Sequence, residues 1–431
     1  MAMGIWILNG KSVDGGSRLK DRHVLIEGAR VARIADVRPA AEELEGHEVI
    51  DVRGRLIAPG FIDMHVHLRE PGFEHKETIA TGTRAAARGG FTTVACMPNT
   101  RPVIDNAETL SRVYETAARE GSVRVLSYAA ITVGQLGREL ADFAALKAAG
   151  AIGFTDDGVG VQSAGVMRDA MALAASLDLP IVAHCEDMSL IAEGAAVTDG
   201  AFARKHGLKG IPNESESVHV ARDVLLAEAT GAHYHVCHVS TEQSVRLIRM
   251  AKRAGVRVTA EVCPHHLLLS DEDIPGPDPN WKMNPPLRSP RDVQAVLEGL
   301  EDGTIDIIVT DHAPHSAEEK ARGLKRAPFG IIGLETAFPL LYTRFVAAGR
   351  WTLEFLLSRL TEKPAEVFRL PGGTIREGGP ADLTVIDLER EKPVREEEIV
   401  SKSKNTPFLG WTLKGWPVLT IAAGKTVWNE L

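Results

Sequence analysis

The chain has 431 residues, and its 49 basic and 58 acidic side chains give a formal net charge of −9 at pH 7. This acidic balance disfavours nucleic acids and anionic membrane surfaces as partners, because binding to either draws on a basic excess. A hydrophobic fraction of 44% and a charged fraction of 25% are typical of globular proteins and exclude wholesale disorder. Aromatic residues contribute only 5%, so we expect a core of aliphatic and alanine side chains.

The cysteine pattern and the apolar runs bear on cellular location. The four cysteines form no C-x-x-C pair, and the first residues lack a basic segment followed by an apolar stretch. No apolar run approaches the roughly 18 residues that a membrane span needs. We therefore expect a cytoplasmic protein with reduced, buried thiols and no membrane association.

Short strand patterns occur at both ends of the chain. Residues 5–8 precede the turn signal Asn9-Gly10, and the runs 381–387 and 418–421 have the same character near the other end. Short β segments at opposite ends cannot each bury a core alone. We therefore predict that residues 1–55 and 370–431 pair into one composite β-sandwich domain.

The middle of the chain alternates between apolar runs rich in β-branched residues and alanine-rich helical segments. One such unit has a helical pattern over 77–88, ends at Gly89-Gly90 and continues into a strand pattern. Eight runs of this kind predict an α/β fold, a (β/α)8 TIM-type barrel over 56–369, rather than an open doubly wound sheet. The predicted strands are 61–67, 91–97, 123–131, 151–155, 180–185, 234–239, 256–262 and 305–311.

Histidines and carboxylates gather at the ends of these predicted strands. His65 and His67 stand at i and i+2 in the first strand and therefore project from the same face. His184, His238 and Asp311 each lie at the end of a later strand, and those ends share one face of a barrel. Imidazole and carboxylate groups are suitable ligands for Zn²⁺, so the sequence predicts a metal site.

The number of candidate ligands bears on the number of ions. Three protein ligands and a water satisfy one catalytic zinc, whereas this chain offers at least five, which favours a binuclear site bridged by a carboxylate. Asp156 and Asp157 follow the fourth strand and add two carboxylates. Asp-Asp-Gly is also good turn chemistry, and spacing alone does not choose between the two residues.

At these residues the sequence resembles the amidohydrolase superfamily and, more narrowly, the bacterial type I dihydroorotases. The resemblance covers essentially the whole chain. Five motifs carry it: FIDMHVHLREPG at 61–72, MPNT at 97–100, FTDDG at 154–158, NPPLR at 284–288 and DHAPH at 311–315.

The resemblance implies a set of metal ligands. His65, His67 and Asp311 would hold one zinc ion, and a second would be held by His184 and His238. Many relatives bridge the ions with a carbamylated lysine after the fourth strand, but this chain has no lysine there and resembles the subgroup that uses aspartate. Alignment with that subgroup favours Asp157 over Asp156 as the bridge.

The resemblance also implies the substrate contacts. Arg69, Asn99 and His315 would hold the substrate carboxylate, and Asn284 and the Phe329-Gly330 backbone would contact the pyrimidine ring. His67 is counted with the substrate-binding residues as well as with the metal ligands. Asp311 would act as the catalytic residue, taking a proton from the attacking water and passing it to the leaving nitrogen.

The implied activity is that of a dihydroorotase: reversible, zinc-dependent opening of the ring amide of (S)-dihydroorotate to N-carbamoyl-L-aspartate, in de novo pyrimidine synthesis. A hydantoinase or allantoinase, or a non-catalytic homologue that scaffolds aspartate transcarbamoylase, are the alternatives. The aspartate in place of the bridging lysine counts against the first two, and the complete ligand set counts against the third. We expect a homo-oligomer, and association with aspartate transcarbamoylase stays open.

Two segments have two interpretations each. Residues 316–326 are polar and charged, which fits either an exposed loop with a short helix or a mobile segment that helps to cover the pocket. His265 and His266 follow the seventh strand, where support or packing is favoured over metal ligation.

Overall fold

The computed structural model describes residues 4–14 and 18–431, with only the backbone described at Asp14. Within these ranges the strands are β1 (Ile5–Asp14), β2 (Arg18–Glu27), β3 (Arg30–Ala35), β4 (Glu48–Asp51), β5 (Leu56–Pro59), β6 (Phe61–Val66), β7 (Phe91–Cys96), β8 (Arg124–Ser127), β9 (Ile181–Ala183), β10 (Val197–Thr198), β11 (Gly210–Ile211), β12 (Tyr234–Val236), β13 (Val258–Val262), β14 (Ile307–Ile308), β15 (Leu383–Pro393), β16 (Thr412–Ala422) and β17 (Lys425–Asn429).

The helices of the same ranges lie mostly between the barrel strands. They are α1 (Ala41–Leu44), α2 (Ile79–Arg88), α3 (Ala107–Glu120), α4 (Phe143–Ala148), α5 (Ala164–Ser176), α6 (Ala201–His206), α7 (Glu214–Thr230), α8 (Glu242–Arg253), α9 (Pro264–Leu268), α10 (Pro290–Glu301), α11 (Ala317–Lys320), α12 (Ala337–Leu341), α13 (Leu353–Leu360) and α14 (Glu362–Phe368). None of these helices is both long and apolar enough to cross a bilayer.

The central strands close into a parallel barrel. β6, β7 and β8 pair in that order, and β9, β12, β13 and β14 form a second parallel run. Phe154 joins the two runs, because it bridges Ala129 on one side and Ile181 on the other. A parallel bridge between Val66 and His312 closes the ring. The predicted (β/α)8 barrel is confirmed.

The fourth barrel position is shorter than the predicted strand 151–155. Residues 152–155 make three backbone hydrogen bonds to Ser127 and Ala129 on one side. On the other side Phe154 makes two, one with Pro180 and one with Val182. The Phe154 ring stacks on Phe143 of α4, with ring centroids 3.6 Å apart, so that packing anchors this position where regular pairing is short.

The α2–β7 unit shows how the sequence builds the barrel wall. The Thr78 side chain accepts a hydrogen bond from the backbone N–H of Thr81 and caps α2, whose small residues 85–87 are buried against the sheet. Gly90 then takes a φ of 87°, and a Cβ there would lie 2.8 Å from the Thr384 hydroxyl oxygen. A glycine is therefore required at this turn on grounds of both conformation and space.

Strands from both ends of the chain form one mixed sheet, in the order β17-β16-β15-β5-β1-β2-β3 with β4 beside β1. β15 pairs antiparallel with β5, with Leu383 opposite Pro59. This pairing joins the strands from the two ends of the chain. The two halves of the sheet share a buried cluster that includes Ile7, Val24 and Val418. A β domain built from both termini is thus confirmed, while its division from the barrel at residues 55 and 370 stays a prediction. Residues 1–3 and 15–17 of that range lie outside the described residues.

Candidate metal and substrate site

The C-terminal ends of the barrel strands carry the predicted ligands. His65 is fully buried near the end of β6, and the backbone N–H of His67 donates to His312 O at 2.8 Å, where the barrel closes. Three site residues other than glycine adopt positive φ: Arg69 at 63°, His238 at 30° and Asp311 at 47°. Such backbone conformations cost energy in residues with a Cβ and tend to occur where the surrounding fold holds a functional side chain in place.

Asp157 lies at the centre of the four histidines. Its Oδ1 is 3.5 Å from His65 Nε2, and its Oδ2 is 3.5 Å from His67 Nε2. On the other side, Oδ1 is 3.7 Å from His184 Nδ1 and 3.8 Å from His238 Nε2. Burial raises the pKa of Asp157, but the charge of His65 and the nearby His238 ring outweigh it and hold that pKa well below its ordinary value. One carboxylate therefore contacts both pairs of imidazoles.

Asp156 has a different environment from its neighbour. Its Oδ1 accepts hydrogen bonds from the backbone N–H groups of Ile131 and Thr132 at 2.8 and 3.1 Å, and its Oδ2 accepts one from the Thr132 hydroxyl. Burial raises the pKa of Asp156 to about 6, against the opposing effect of the Thr132 hydrogen bonds. The structure thus places the Asp157 carboxylate in the cluster and the Asp156 carboxylate against the loop that follows β8.

Asp311 adds a second carboxylate to the first histidine pair. Its Oδ1 lies 3.0 Å from His67 Nε2 and 3.4 Å from His65 Nε2. Burial raises its pKa, but the charge of His65 and the hydrogen bond from His67 have the larger combined effect and hold it below the ordinary value. Asp311 is therefore ionised at neutral pH and can accept a proton.

Two glutamates that the sequence analysis did not select hold the histidines in orientation. His65 Nδ1 donates to Glu261 Oε1 at 2.6 Å, which leaves Nε2 of the ring facing the cluster. Burial raises the pKa of Glu261, but His65 and His235 lower it to about 2, so it is an anion. His184 Nε2 lies 3.2 Å from Glu186 Oε2 in the same way. In the sequence, Glu261 lies inside an apolar strand pattern and Glu186 lies two residues after His184. Glutamates in such positions are too common to predict a supporting role.

The donor set fits divalent metal ions. His65 Nε2, Asp157 Oδ1 and His238 Nδ1 are buried without a hydrogen-bond partner among the described residues. Buried polar atoms are nearly always paired, so unpaired nitrogen and oxygen atoms in one cluster are compatible with a bound cation. Ligand atoms within 4.8 Å of one another come from two groups that share Asp157, one with His65 and His67 and one with His184 and His238. Imidazole and carboxylate donors are compatible with metal binding.

A cavity of about 180 Å³ opens beside the cluster, and the fully buried His65 is not part of its lining. All the other predicted site residues line it: His67, Arg69, Asn99, Asp157, His184, His238, Asn284, Asp311, His315, Phe329 and Gly330.

One end of the cavity is electropositive. Arg69 is buried, and its Nε donates to Pro314 O at 3.1 Å. His315 Nε2 lies 2.8 Å from Phe329 O and 3.2 Å from Arg69 Nη2. Because a carbonyl can only accept, His315 Nε2 carries the proton, and Arg69 Nη2 has no acceptor in that ring. Burial and the charges of Arg69 and Lys76 hold the pKa of His315 far below its ordinary value, so the ring is neutral. The positive charge at this end of the cavity therefore comes from Arg69 and Lys76.

The two asparagines link this end of the cavity to the cluster. Asn99 Oδ1 is 2.9 Å from His67 Nδ1, and Asn99 Nδ2 donates to Asp157 Oδ2 at 3.2 Å. Asn284 Nδ2 lies 3.1 Å from both carboxylate oxygens of Glu186. A ligand that contacts either amide is therefore held next to the histidines.

The segment 316–326 begins with a short, capped helix. Ser316 and Glu319 cap α11, and the buried Lys320 Nζ donates to the carbonyl oxygens of Pro279, Lys282 and Pro328 at 3.0, 3.2 and 3.0 Å. The segment is thus tied to the chain on both sides of it. This connection holds Pro328, the residue before Phe329, and Phe329 lines the cavity.

Comparisons with known proteins agree with this geometry. A family profile described as "Dihydro-orotase-like" matches residues 54–244. The chain is 60% identical over 428 residues to a dihydroorotase of Geobacillus kaustophilus (strain HTA426), and 61% identical over 429 residues to one of Bacillus caldolyticus, with 99% of each chain covered in both. Its fold is similar to that of "L-Hydantoinase (Dihydropyrimidinase)" from Arthrobacter aurescens, with a TM-score of 0.88, 27% identity and coverage of 99% of this chain and 96% of that one.

Proposed function

We infer the reaction from the family to which the chain belongs, that of the dihydroorotases. The chain is a cyclic amide hydrolase that interconverts (S)-dihydroorotate and N-carbamoyl-L-aspartate. In the cell it would run in the ring-closing direction, as the third step of de novo pyrimidine (UMP) synthesis. The observation that carries this most directly is Asp157, one buried carboxylate between two histidine pairs at the floor of a cavity.

We propose two zinc ions as the cofactor. His65, His67 and Asp311 would hold one ion, His184 and His238 the other, and Asp157 would bridge them. The unpaired atoms His65 Nε2 and Asp157 Oδ1 support this assignment. When bound, the ions would supply two things that protein side chains lack here: a lowered pKa for water and polarisation of the ring carbonyl.

Asp311 is the proposed proton carrier. It is anionic at neutral pH, and its Oδ1 is held 3.0 Å from His67 Nε2, at the edge of the cavity floor. In the hydrolytic direction it would accept the proton of the attacking water and deliver it to the ring nitrogen that leaves. Positioned acid–base groups of this kind typically contribute about 10²- to 10⁴-fold in rate.

The electropositive end of the cavity is the proposed carboxylate site. Arg69 presents Nη2 there, and its planar guanidinium matches a carboxylate through two parallel hydrogen bonds. We propose that Asn99 and His315 complete this site, and that Asn284 and the Phe329-Gly330 backbone contact the ring. All these groups line the same cavity, so a single dihydroorotate molecule can contact them together.

The test measures metal content per chain together with turnover of dihydroorotate, hydantoin and allantoin. We expect dihydroorotate to be the preferred substrate, loss of turnover on chelation, and recovery on adding Zn²⁺. Preference for hydantoin or allantoin would overturn the substrate assignment. Turnover that survives complete removal of metal would overturn the proposed cofactor.

Asp311→Asn tests the proton carrier. We expect turnover to fall by at least about 10²-fold, and metal analysis of the same sample shows whether ions are retained. Asp292→Asn is the matched control, because this buried carboxylate accepts hydrogen bonds from the Ser289 hydroxyl and the Glu242 backbone N–H, outside the cavity. Wild-type turnover in Asp311→Asn would contradict the assignment.

A homo-oligomer and a cytoplasmic location are proposed with this function, as is association with aspartate transcarbamoylase, which supplies carbamoyl aspartate. Light scattering of the purified chain, alone and mixed with that enzyme, tests both assemblies. A monomeric mass in both samples would contradict them.

A further inference from the structure

A second group of metal-binding side chains lies at the junction of β13 and α9. It consists of Cys263, His265 and His266, and one ligand atom from each lies within 4.8 Å of the others. All three side chains are buried, with exposed fractions of 0%, 3% and 3%. The group shares no residue with the ligands proposed above.

Each of the two imidazoles has one buried ring nitrogen without a hydrogen-bond partner among the described residues. His266 Nε2 lies 2.9 Å from Pro285 O, and since a carbonyl only accepts, Nε2 carries the proton and Nδ1 carries the lone pair. His266 Nδ1 and His265 Nε2 are both buried without a hydrogen-bond partner in the part of the chain that the structure describes. Each such atom is costly to bury, so the pair calls for a ligand.

We propose that Cys263, His265 and His266 form a separate binding site for a thiophilic divalent metal ion such as Zn²⁺. One thiolate and two imidazole nitrogens are a donor set that zinc accepts, and they leave one position of a tetrahedron for water. Binding releases the Cys263 thiol proton. The bound ion would fix the His266 ring, and through it the Pro285 carbonyl next to Asn284.

Another buried thiol lies near histidine and glutamate side chains but is a weaker candidate. Cys237 lies with His65 and Glu261, where the atoms facing each other are already satisfied by the 2.6 Å hydrogen bond between the histidine and the glutamate. Glu261 also binds His235 at 3.0 Å. The group around Cys263 differs because its histidine nitrogens are unpaired.

Cobalt substitution tests the site without relying on activity. The full chain is freed of metal, loaded with Co²⁺, and its near-ultraviolet spectrum is searched for a thiolate-to-cobalt charge-transfer band. The ligands proposed for the binuclear centre include no thiolate, so the band reports on a cysteine. We expect the band in the wild type, its loss in Cys263→Ser, and one metal ion fewer per chain in that variant.

Two further cysteine variants make the result specific. Cys185→Ser is the matched control, since this thiol is buried and bonded to Tyr234 rather than grouped with metal ligands, and its band should equal that of the wild type. Loss of the band in Cys237→Ser with retention in Cys263→Ser would overturn the proposal.

X-ray absorption at the zinc edge of the wild type needs no variant and covers the case in which Cys263→Ser fails to fold. We expect a sulfur ligand at about 2.3 Å. Spectra that contain only nitrogen and oxygen scatterers, together with no cobalt–thiolate band at saturating Co²⁺, would overturn the proposal.

Discussion

Glu261→Gln isolates the effect of charge behind the proposed metal site. The substitution keeps the length and shape of the side chain, and its amide oxygen can still accept from His65 Nδ1. It removes the negative charge from a 2.6 Å hydrogen bond to His65 and from a 3.0 Å contact with His235. The expected effect is a weaker hold on metal, because His65 becomes a less basic ligand.

The magnitude follows from those two hydrogen bonds. Hydrogen bonds to charged groups contribute about 1.5–3 kcal/mol, against about 0.5–1.5 kcal/mol for neutral ones. Exchanging one type for the other at His65 therefore costs about 1–1.5 kcal/mol, and the contact with His235 adds a similar amount at most. A total of about 1–3 kcal/mol corresponds to a loss of roughly 5- to 150-fold in metal affinity, in line with the usual effect of such supporting groups.

Competition with a chelator measures this affinity directly, with metal per chain followed as free chelator is increased. Glu335→Gln is the matched control, because Glu335 is also buried and pairs with Arg88 at 2.5 Å, outside the cavity. We expect the control to keep wild-type affinity, and turnover of Glu261→Gln to recover at high Zn²⁺. Wild-type metal affinity in Glu261→Gln would refute the reasoning, as would an equal loss in the control.

Three other substitutions probe the rest of the site and the barrel. Arg69→Lys should raise KM for dihydroorotate more than about tenfold, because a lysine cannot make two parallel hydrogen bonds; steady-state kinetics with an unchanged KM would move the carboxylate site elsewhere. Lys320→Met removes three hydrogen bonds that hold the chain next to Phe329. We expect KM to rise several-fold, on the order of 1 kcal/mol, with a smaller change in kcat. A fall in kcat with an unchanged KM would contradict this role. Phe154→Ala should lower the free energy of unfolding by about 3–5 kcal/mol in urea titration, whereas the exposed Val159→Ala should change it little; equal effects would contradict the anchoring of the fourth position.

The barrel and the cluster of histidines at its strand ends were predictable because their signals are local. His65 and His67 alternate along a strand, and His184 and His238 each end an apolar run, so periodicity placed them on one face before any contact was known. The fourth strand was harder, since the run 151–155 reads as a strand while only Phe154 is bridged. Pairing depends on how neighbouring strands are positioned, which a single run does not encode.

The supporting glutamates show a second limit. Glu261 is a buried anion because His65 and His235 reach it from two other strands, 196 and 26 residues away. A glutamate inside an apolar run carries no local mark of such partners. The small sheet of β10 and β11 was not predicted for a related reason: its strands have two residues each, too few for any period to appear.

Asp156 and Asp157 make the same limit concrete, because two identical neighbours have opposite roles. The backbone N–H groups of Ile131 and Thr132, at the end of the third predicted strand, donate hydrogen bonds to Asp156 Oδ1. The Asp157 carboxylate instead lies 3.5 Å from His65 Nε2 and 3.5 Å from His67 Nε2. What distinguishes the two aspartates is a partner in the loop after β8, about 25 residues earlier in the chain, and the Asp-Asp-Gly motif carries no trace of it, which is why spacing left the choice open.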